Sequence, residues 1–524
     1  MSEGDRGMSG GQGGGPEMRA APSDASIDAG GGHAGRREGR IREAAPTRER
    51  RAAIVPMVSP AVIKGSVRMA DAALTMLMGI VVCYSYVGIM SDAQYFIYAQ
   101  ALTAATVLTV IAFQFSGLYR IPVLQRTLTQ VGRIAMAWSG VFVLLMVGGF
   151  LLKVSHEVSR VWLVSWYLGG FGAILAMRAT VGVAVRHWME TGRLERRVVI
   201  VGGGERGLHL IEALRASSAK DIKICGVFDD RGDQRVPDDI AGFPKLGTVD
   251  ELVRFARSNR IDLLIMALPL TAERRVLEMM RKVWVLPVDI RLSALDAPLR
   301  MTAGTYSYVG NVPFFNLYDK PLSDWDYVLK VIEDRVLAAM FLLILSPLFA
   351  LIAIAIKLDS KGPVFFKQRR YGFNNELVEV YKFRTLKHES ADANAAKLVT
   401  ANDDRVTRVG RFLRRSSFDE LPQFITVLTG GMSIVGPRPH AILAKAGDEL
   451  YGDVVDGYFA RHRVKPGITG WAQINGWRGE TDTREKIQRR TEHDLYYIEN
   501  WSLLFDLYII ARTPLSMVQG ENAF

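Results

Sequence analysis

Apolar residues gather into four long runs in the first part of the chain, at about 66–90, 95–117, 131–152 and 161–186. Each is close to the length an α-helix needs to cross a bilayer. A soluble domain can bury one such helix; four in close succession predict membrane spans. Arginines orient them. Arg36, Arg37, Arg40, Arg42, Arg48, Arg50 and Arg51 precede the first run, and Arg120, Arg126 and Arg133 lie between the second and third. Arg186, Arg193, Arg196 and Arg197 follow the fourth, whereas the connection between the first two has none. Cytoplasmic loops carry the excess of Lys and Arg, which predicts that both ends of this segment, 61–190, face the cytoplasm.

Residues 1–60 are rich in Gly, Ala, Arg and Ser without hydrophobic periodicity. They read as a disordered basic tail, and the start shows no short apolar core with a cleavage site.

From about 195 to 300 the pattern changes to short apolar runs alternating with helical periodicity. Val198–Val201 leads into Gly202-x-Gly204-x-x-Gly207 and a helical stretch; the next run, ICGVF, ends at Asp229 and Asp230, and Ile261–Pro269 reads as a further strand. Strand, glycine loop, helix and an acid at this spacing predict a Rossmann-like α/β domain. The glycines serve either a nucleotide phosphate or only the tight strand-to-helix turn. No Tyr occurs from 208 to 300, so a Tyr-x-x-x-Lys reductase dyad cannot follow the loop. A regulatory or assembly role is the preferred expectation here.

After a linker with Pro313 and Pro321, a fifth apolar run, Val336–Ile356, is interrupted at its centre by Ser346-Pro347. Proline removes a helical hydrogen bond, and a neighbouring serine hydroxyl can satisfy the freed carbonyl. The segment 320–360 is either a kinked fifth span or a re-entrant helix that bends and returns. Residues 361–524 form the last unit. Within it, 387–404 read as a polar loop, and Tyr458, Phe459, Tyr496, Tyr497, Trp501, Leu503, Leu504 and Phe505 suit an interfacial helix or a small core.

Composition agrees with several domains and a membrane. The chain has 524 residues, 49% hydrophobic, with a formal charge of +11 and a mean hydropathy of +0.11. Cys83 and Cys225 are the only cysteines, which excludes a disulfide framework or a cysteine zinc site.

The candidate chemistry lies in RFLRRSSFDELPQFITVLTGGMSIVGPRP, Arg411–Pro439. Asp419 and Glu420 stand between an arginine run and Arg438, which is held between Pro437 and Pro439. If the run is helical, Arg405, Arg408, Arg411 and Arg414 share one basic face. Cations on both sides of two carboxylates suit a diphosphate carried with Mg²⁺. Ser417-x-x-Glu420 with Pro422 is also a capping-box pattern, in which the acids only complement a helix start.

RRSSFDELPQ followed by MSIVGPRP resembles the bacterial sugar transferase family, the monotopic polyprenyl-phosphate hexose-1-phosphate transferases. KFRT (Lys382–Thr385), KPGITG (Lys465–Gly470) and NWS (Asn500–Ser502) fall in the family's order. The resemblance runs from about Asp319 to the C-terminus, and the four spans and middle domain resemble the family's larger members. It implies that Asp419 is the nucleophile, that Glu420 holds Mg²⁺ and that Arg414 and Arg438 grip phosphate. It further implies substrate contacts from Lys382, Arg384, Pro437, Pro439 and Lys465. The substrates would be a UDP-sugar and undecaprenyl phosphate, at the inner membrane of a bacterium and among its lipids, with no nucleic acid partner. A re-entrant helix is implied as well, since a crossing would place Asp419 outside the cell, away from nucleotide-sugars. NGWRGETDT (Asn475–Thr483) resembles the glucose-transferring branch, with galactose the alternative. Oligomeric state is left open, a homodimer included. A membrane-anchored nucleotide-sugar oxidoreductase and a non-catalytic assembly scaffold are the competing classes; the missing Tyr argues against the first and the intact acid–arginine set against the second.

Overall fold

The computed structural model describes residues 58–519 except 88–90, 126, 218–221, 232–238, 270, 296–306, 388–402, 441–444, 447–448, 451–457, 478 and 480–482. The expected basic tail with its seven arginines, Arg126, nearly all of the polar loop 387–404 and part of NGWRGETDT lie outside the described residues.

Helices α1 (Pro60–Val82), α2 (Asp92–Phe115), α4 (Thr127–Leu151) and α5 (Arg160–Glu190) coincide with the four apolar runs; α3 (Ile121–Leu124) is a single turn between α2 and α4. Local signals start them. Ser59 caps α1 at Pro60, and Ser91 forms a reciprocal capping box with Gln94 at the start of α2. α1 packs on α2 and α5, α2 on α4, and α4 on α5. Trp138, Trp162 and Trp166 are fully buried between them. The Trp162 and Trp166 indoles donate to the Gly79 and Thr75 carbonyls, both at 2.9 Å. Arg178 donates to Asp71 at 2.5 Å, with both side chains wholly buried. An ion pair is the form in which charge is tolerated there. Phe96, Phe115, Leu144, Phe150 and Leu152 point outward. With α9 below, five helices among the described residues are long and apolar enough to cross a membrane, as in a mixed α and α/β membrane protein.

The middle of the chain forms an eight-stranded sheet. In chain order its elements are β1 (Arg196–Val201), α6 (Glu205–Ala216), β2 (Ile222–Phe228), β3 (Asp239–Ile240), β4 (Phe243–Gly247), α7 (Val249–Ser258), β5 (Leu263–Met266), α8 (Glu273–Val283), β6 (Asp289–Ser293), β7 (Ser307–Val309) and β8 (Val312–Tyr318). The spatial order is β3-β4-β2-β1-β5-β6-β8-β7, with β4, β2, β1, β5 and β6 parallel. Alternation along β1 divides the core: Val199 and Val201 face α7 and α8, whereas Val198 and Ile200 face α6. Burial on both faces is why this strand reads as an unbroken apolar run. The sheet does not stop at 300. β8 extends it antiparallel to β6 and β7 adds antiparallel to β8, so Pro313, read as linker, sits near the start of a strand.

Helix α9 (Asp324–Asp359) is one element with Pro347 inside it. Ser346 Oγ donates to the Leu343 carbonyl at 2.8 Å, the acceptor that Pro347 leaves without a backbone donor. Both arms pack on the same module. Ala338 and Phe341 join Val380, Val427 and Ile434, while Phe349, Ile352 and Ile356 join Phe383, Leu413 and Leu421. Leu343 and Ile344 between them are exposed, as is Leu351 on the outer side of the second arm.

That module contains the hairpin β9 (Phe365–Tyr371) and β10 (Leu377–Phe383), then α10 (Arg408–Arg415) and α11 (Gln423–Leu428). β11 (Ser433–Val435) pairs in parallel with β14 (Gly467–Thr469), and β12 (Lys445–Ala446) pairs with β13 (Glu449–Leu450). α12 (Trp471–Ile474), α13 (Arg484–Glu499) and α14 (Leu503–Gln519) complete it. Tyr497, Trp501 and Phe505 belong to its core, while Tyr496 and Leu504 are exposed, so the aromatic group divides between the two roles expected of it.

Candidate active site

Asp419 and Glu420 occupy a 3₁₀ turn, Phe418–Glu420, between α10 and α11. Ser417 enters it in the left-handed region, φ 57°, with no side-chain cap, and Pro422 is the N-cap residue of α11. The capping-box reading is therefore corrected: the turn is set by the Ser417 backbone, and the acids stand outside the α-helix. The single basic face is corrected too. α10 begins at Arg408, while Arg405, before it, binds Asp403 at 2.5 Å. Arg408 and Arg411 face solvent, whereas Arg414 turns inward, its Nε donating to Thr385 Oγ1 at 3.0 Å.

Two motifs far apart in sequence meet at Glu420. Its Oε1 accepts from Lys382 Nζ at 2.8 Å and from Arg438 Nη2 at 2.6 Å; Oε2 accepts from Arg438 Nη1 at 3.0 Å. The Arg438 contact is the two-pronged form that a guanidinium makes with a carboxylate. Lys382 also lies 3.9 Å from Asp419 Oδ2 and so bridges the pair. The acids differ in charge state. Burial pushes the Asp419 carboxyl above its ordinary value, and Lys382, Arg414 and Arg438 offset this only in part. Burial acts on Glu420 as well, but Arg438 and Lys382 outweigh it and hold Glu420 well below the usual carboxylate range. The arginines beside Asp419 predict a carboxylate kept ionised; instead burial and the neighbouring Glu420 charge raise it, and Lys382, Arg414 and Arg438 do not outweigh them.

Backbone packing positions Arg438. The MSIVGPRP and KPGITG segments run side by side so closely that a Cβ on Gly467 would lie 2.1 Å from the Gly436 amide nitrogen. Asp334 of α9 accepts from Ile434 N at 2.9 Å and Ser433 Oγ at 2.8 Å. Tyr497 donates to the Val435 carbonyl at 3.1 Å and to Asp506 at 2.8 Å; Asp506 also binds Lys330 at 2.6 Å. Pro437 and Pro439 contribute carbonyls to this frame, Pro437 to Gly467 N and Pro439 to Arg370 Nη1 at 2.6 Å.

The remaining expected substrate contacts lie elsewhere. Arg384 is buried with its guanidinium on the Ser360 and Lys361 carbonyls, both at 2.7 Å, where it clamps the end of α9. Lys465 is half-buried near Asp334, Arg335 and Lys330. Sequence reading missed a buried basic layer behind Arg438. Arg461 donates to the Arg438 carbonyl at 3.0 Å and to Asp494 at 2.5 Å. Arg370 and Arg490 lie in this layer, each lowered to about 10 by burial and then by a neighbouring arginine. Their scatter from β9 to α13 leaves no local motif to find.

Among the described residues no three His, Cys, Asp or Glu side chains converge on a metal position. Glu420 already accepts three hydrogen bonds, and a carboxylate offers about four lone-pair positions. Glu420 with Asp419 fits a Mg²⁺ held mainly by substrate phosphates and does not fit a cage of protein ligands.

The family model described as bacterial sugar transferase matches residues 325–520, and one described as CoA-binding domain matches residues 114–294. The chain is 38% identical over 438 residues to the UDP-glucose:undecaprenyl-phosphate glucose-1-phosphate transferase of Escherichia coli (strain K12), covering 82% of this chain and 91% of that protein. It is 34% identical to the protein of the same name from Xanthomonas campestris pv. campestris, over 82% of this chain and 88% of that one. It is 40% identical to the undecaprenyl-phosphate glucose phosphotransferase of Komagataeibacter xylinus, over 67% of this chain and 65% of that one. The chain belongs to the bacterial sugar transferase family.

Proposed function

We propose that the protein transfers glucose-1-phosphate from UDP-glucose to undecaprenyl phosphate, releasing UMP and forming undecaprenyl-diphosphate-glucose. The product would begin exopolysaccharide synthesis at the cytoplasmic face of the bacterial inner membrane. The observation that carries this reading is the buried Asp419 carboxylate, 3.9 Å from Lys382, beside a Glu420 fixed by Lys382 and Arg438. An Asp419 oxygen attacks the β-phosphorus, the bond from that phosphorus to the bridging oxygen breaks, and UMP leaves with the electron pair. An oxygen of the lipid phosphate then attacks the same phosphorus and expels the Asp419 carboxylate. Lys382, Arg414 and Arg438 offset the negative charge of both partners, which is most of what phosphoryl transfer asks of a protein. Mg²⁺, held by Glu420 and the diphosphate, would neutralise charge on the leaving nucleotide. Membranes given polyprenyl phosphate and a panel of UDP-sugars should release UMP with UDP-glucose. Release only with UDP-galactose or another UDP-sugar would change the sugar, and release with none would overturn the reading.

For the architecture we infer a four-helix transmembrane bundle from α1, α2, α4 and α5, a Rossmann-like cytoplasmic domain, and α9 re-entering the membrane. The re-entrant reading is supported by both arms of α9 packing on one module around an exposed apolar turn. With exposed Lys361 replaced by Cys, an impermeant thiol reagent applied to intact cells should leave that position unlabelled until the membrane is permeabilised. Ready labelling from outside would mean that α9 crosses.

A further inference from the structure

A cavity of about 460 Å³ opens at the carboxyl ends of β1, β2 and β5. β1 lies between β2 and β5, so the chain leaves it toward opposite edges of the sheet, the position where open parallel sheets bind ligands. The size suits a nucleotide. Ala267, Leu268, Pro269 and Met279 give an apolar wall; Arg206, Arg231 and Arg275 supply positive charge, and Glu205 and Asp229 are the acids. Gly202 turns at φ +106°, and a Cβ on Gly207 would lie 2.2 Å from the Gly202 carbonyl oxygen, so the glycine loop is drawn tight over the start of α6.

The two groups that a free-ribose dinucleotide needs here are engaged with each other. Asp229, at the ribose-binding position, is 2% exposed. Its Oδ2 accepts from Gly203 N at 2.7 Å and Arg231 Nη2 at 3.0 Å. Its Oδ1 accepts from Arg231 N at 2.9 Å and Arg231 Nε at 3.1 Å. Four donors fill the four lone-pair positions of the carboxylate, leaving none for ribose hydroxyls. The Gly203 amide is equally unavailable to a pyrophosphate. Arg231 is different: its side chain is 44% exposed, and its guanidinium lies against Gly204 at the cavity mouth. An arginine beside the ribose acid is how such folds accept a phosphate on the ribose itself.

We propose that this cavity binds a nucleotide whose ribose carries its own phosphate, gripped by Arg231, and discriminates against the same nucleotide with a free ribose. Coenzyme A carries such a phosphate at the 3′ position and NADP(H) at the 2′ position. The proposal is independent of the transfer reaction, and its test reads binding alone.

Thermal unfolding of the full chain in detergent is followed with coenzyme A against dephospho-coenzyme A, and with NADPH against NADH. One phosphorylated ligand should raise Tm while its dephosphorylated partner has little effect, and the pair that responds identifies the 3′ or the 2′ phosphate. Arg231→Ser should weaken the responding ligand more than tenfold and narrow the gap within the pair, because Asp229 regains lone pairs for ribose hydroxyls. Equal shifts within both pairs, no shift with any of the four, or a preference that survives Arg231→Ser would each overturn the proposal. If Arg231→Ser does not fold, the wild-type pairs decide it.

Discussion

Asp419→Asn is expected to take up no label from sugar-labelled UDP-glucose supplied without acceptor lipid. Wild type should become labelled and lose the label when polyprenyl phosphate is added. Turnover of the variant should fall by at least about 10³-fold, since removing a covalent nucleophile can cost about 10⁶-fold in kcat. A neutral amide keeps the shape of the side chain, so the comparison isolates the charge. Two-step transfer also requires UMP to leave before the lipid binds, giving ping-pong kinetics. The pH dependence follows from the direction of the Asp419 shift. Burial raises this carboxyl, so ionisation is lost on acidification at a pH above that of an ordinary aspartate, about 3.9. The acid limb of kcat/KM should therefore lie above that value. Lys382→Met should move it higher still, because removing a cation favours the neutral acid. Near-normal turnover in Asp419→Asn, or UMP appearing only after the lipid binds, would replace this scheme with direct attack by the lipid phosphate.

Glu420→Gln is expected to lose about 10²-fold or more in kcat, the scale of removing a preorganised charge stabiliser. The carboxylate holds Lys382 and Arg438 at 2.8 and 2.6 Å, and the amide can present only one acceptor oxygen to those two cations. Arg438 would then lose its two-pronged anchor. Metal titration separates two roles. If Glu420 holds Mg²⁺, wild-type activity should vanish in EDTA and the variant should need more than tenfold higher Mg²⁺ for half-maximal rate. A reduced rate with an unchanged Mg²⁺ requirement would restrict Glu420 to positioning the cations. Wild-type turnover that persists in EDTA would remove the metal from the reaction.

The features legible in the sequence are those written in consecutive residues. Length and apolarity of four runs located α1, α2, α4 and α5, and the spacing from Gly202 to Asp229 located β1, α6 and β2. Even the serine substitute for the hydrogen bond lost at Pro347 was readable, because donor and acceptor lie three residues apart. What could not be read depends on partners brought together only by folding. Lys382 and Glu420 meet across 38 positions, and Arg461 and Asp494 across 33. Arg384 stands two residues from Lys382, yet its neighbour along β10 faces the acids while it faces the end of α9. Ser417 matched a capping pattern, but its left-handed backbone was set by how α10 and α11 must join. Likewise β8 looked like linker until its antiparallel partner β6 was in place.

Helix α9 is tied to the module carrying Asp419 at both ends. Lys330 and Asp334 hold one end through Asp506 and β11, and Arg384 holds the other through the Ser360 and Lys361 carbonyls. The exposed apolar turn between the ties cannot sink or rise in a bilayer without carrying the catalytic pair with it. On the re-entrant reading, acyl-chain length would thereby become a kinetic variable. Mismatch costs fractions of a kcal/mol per Å, small enough to be tolerated by the fold and large enough to change how often a lipid phosphate comes within reach. Thinner or thicker bilayers would slow the second half-reaction and leave release of UMP from the soluble donor unchanged.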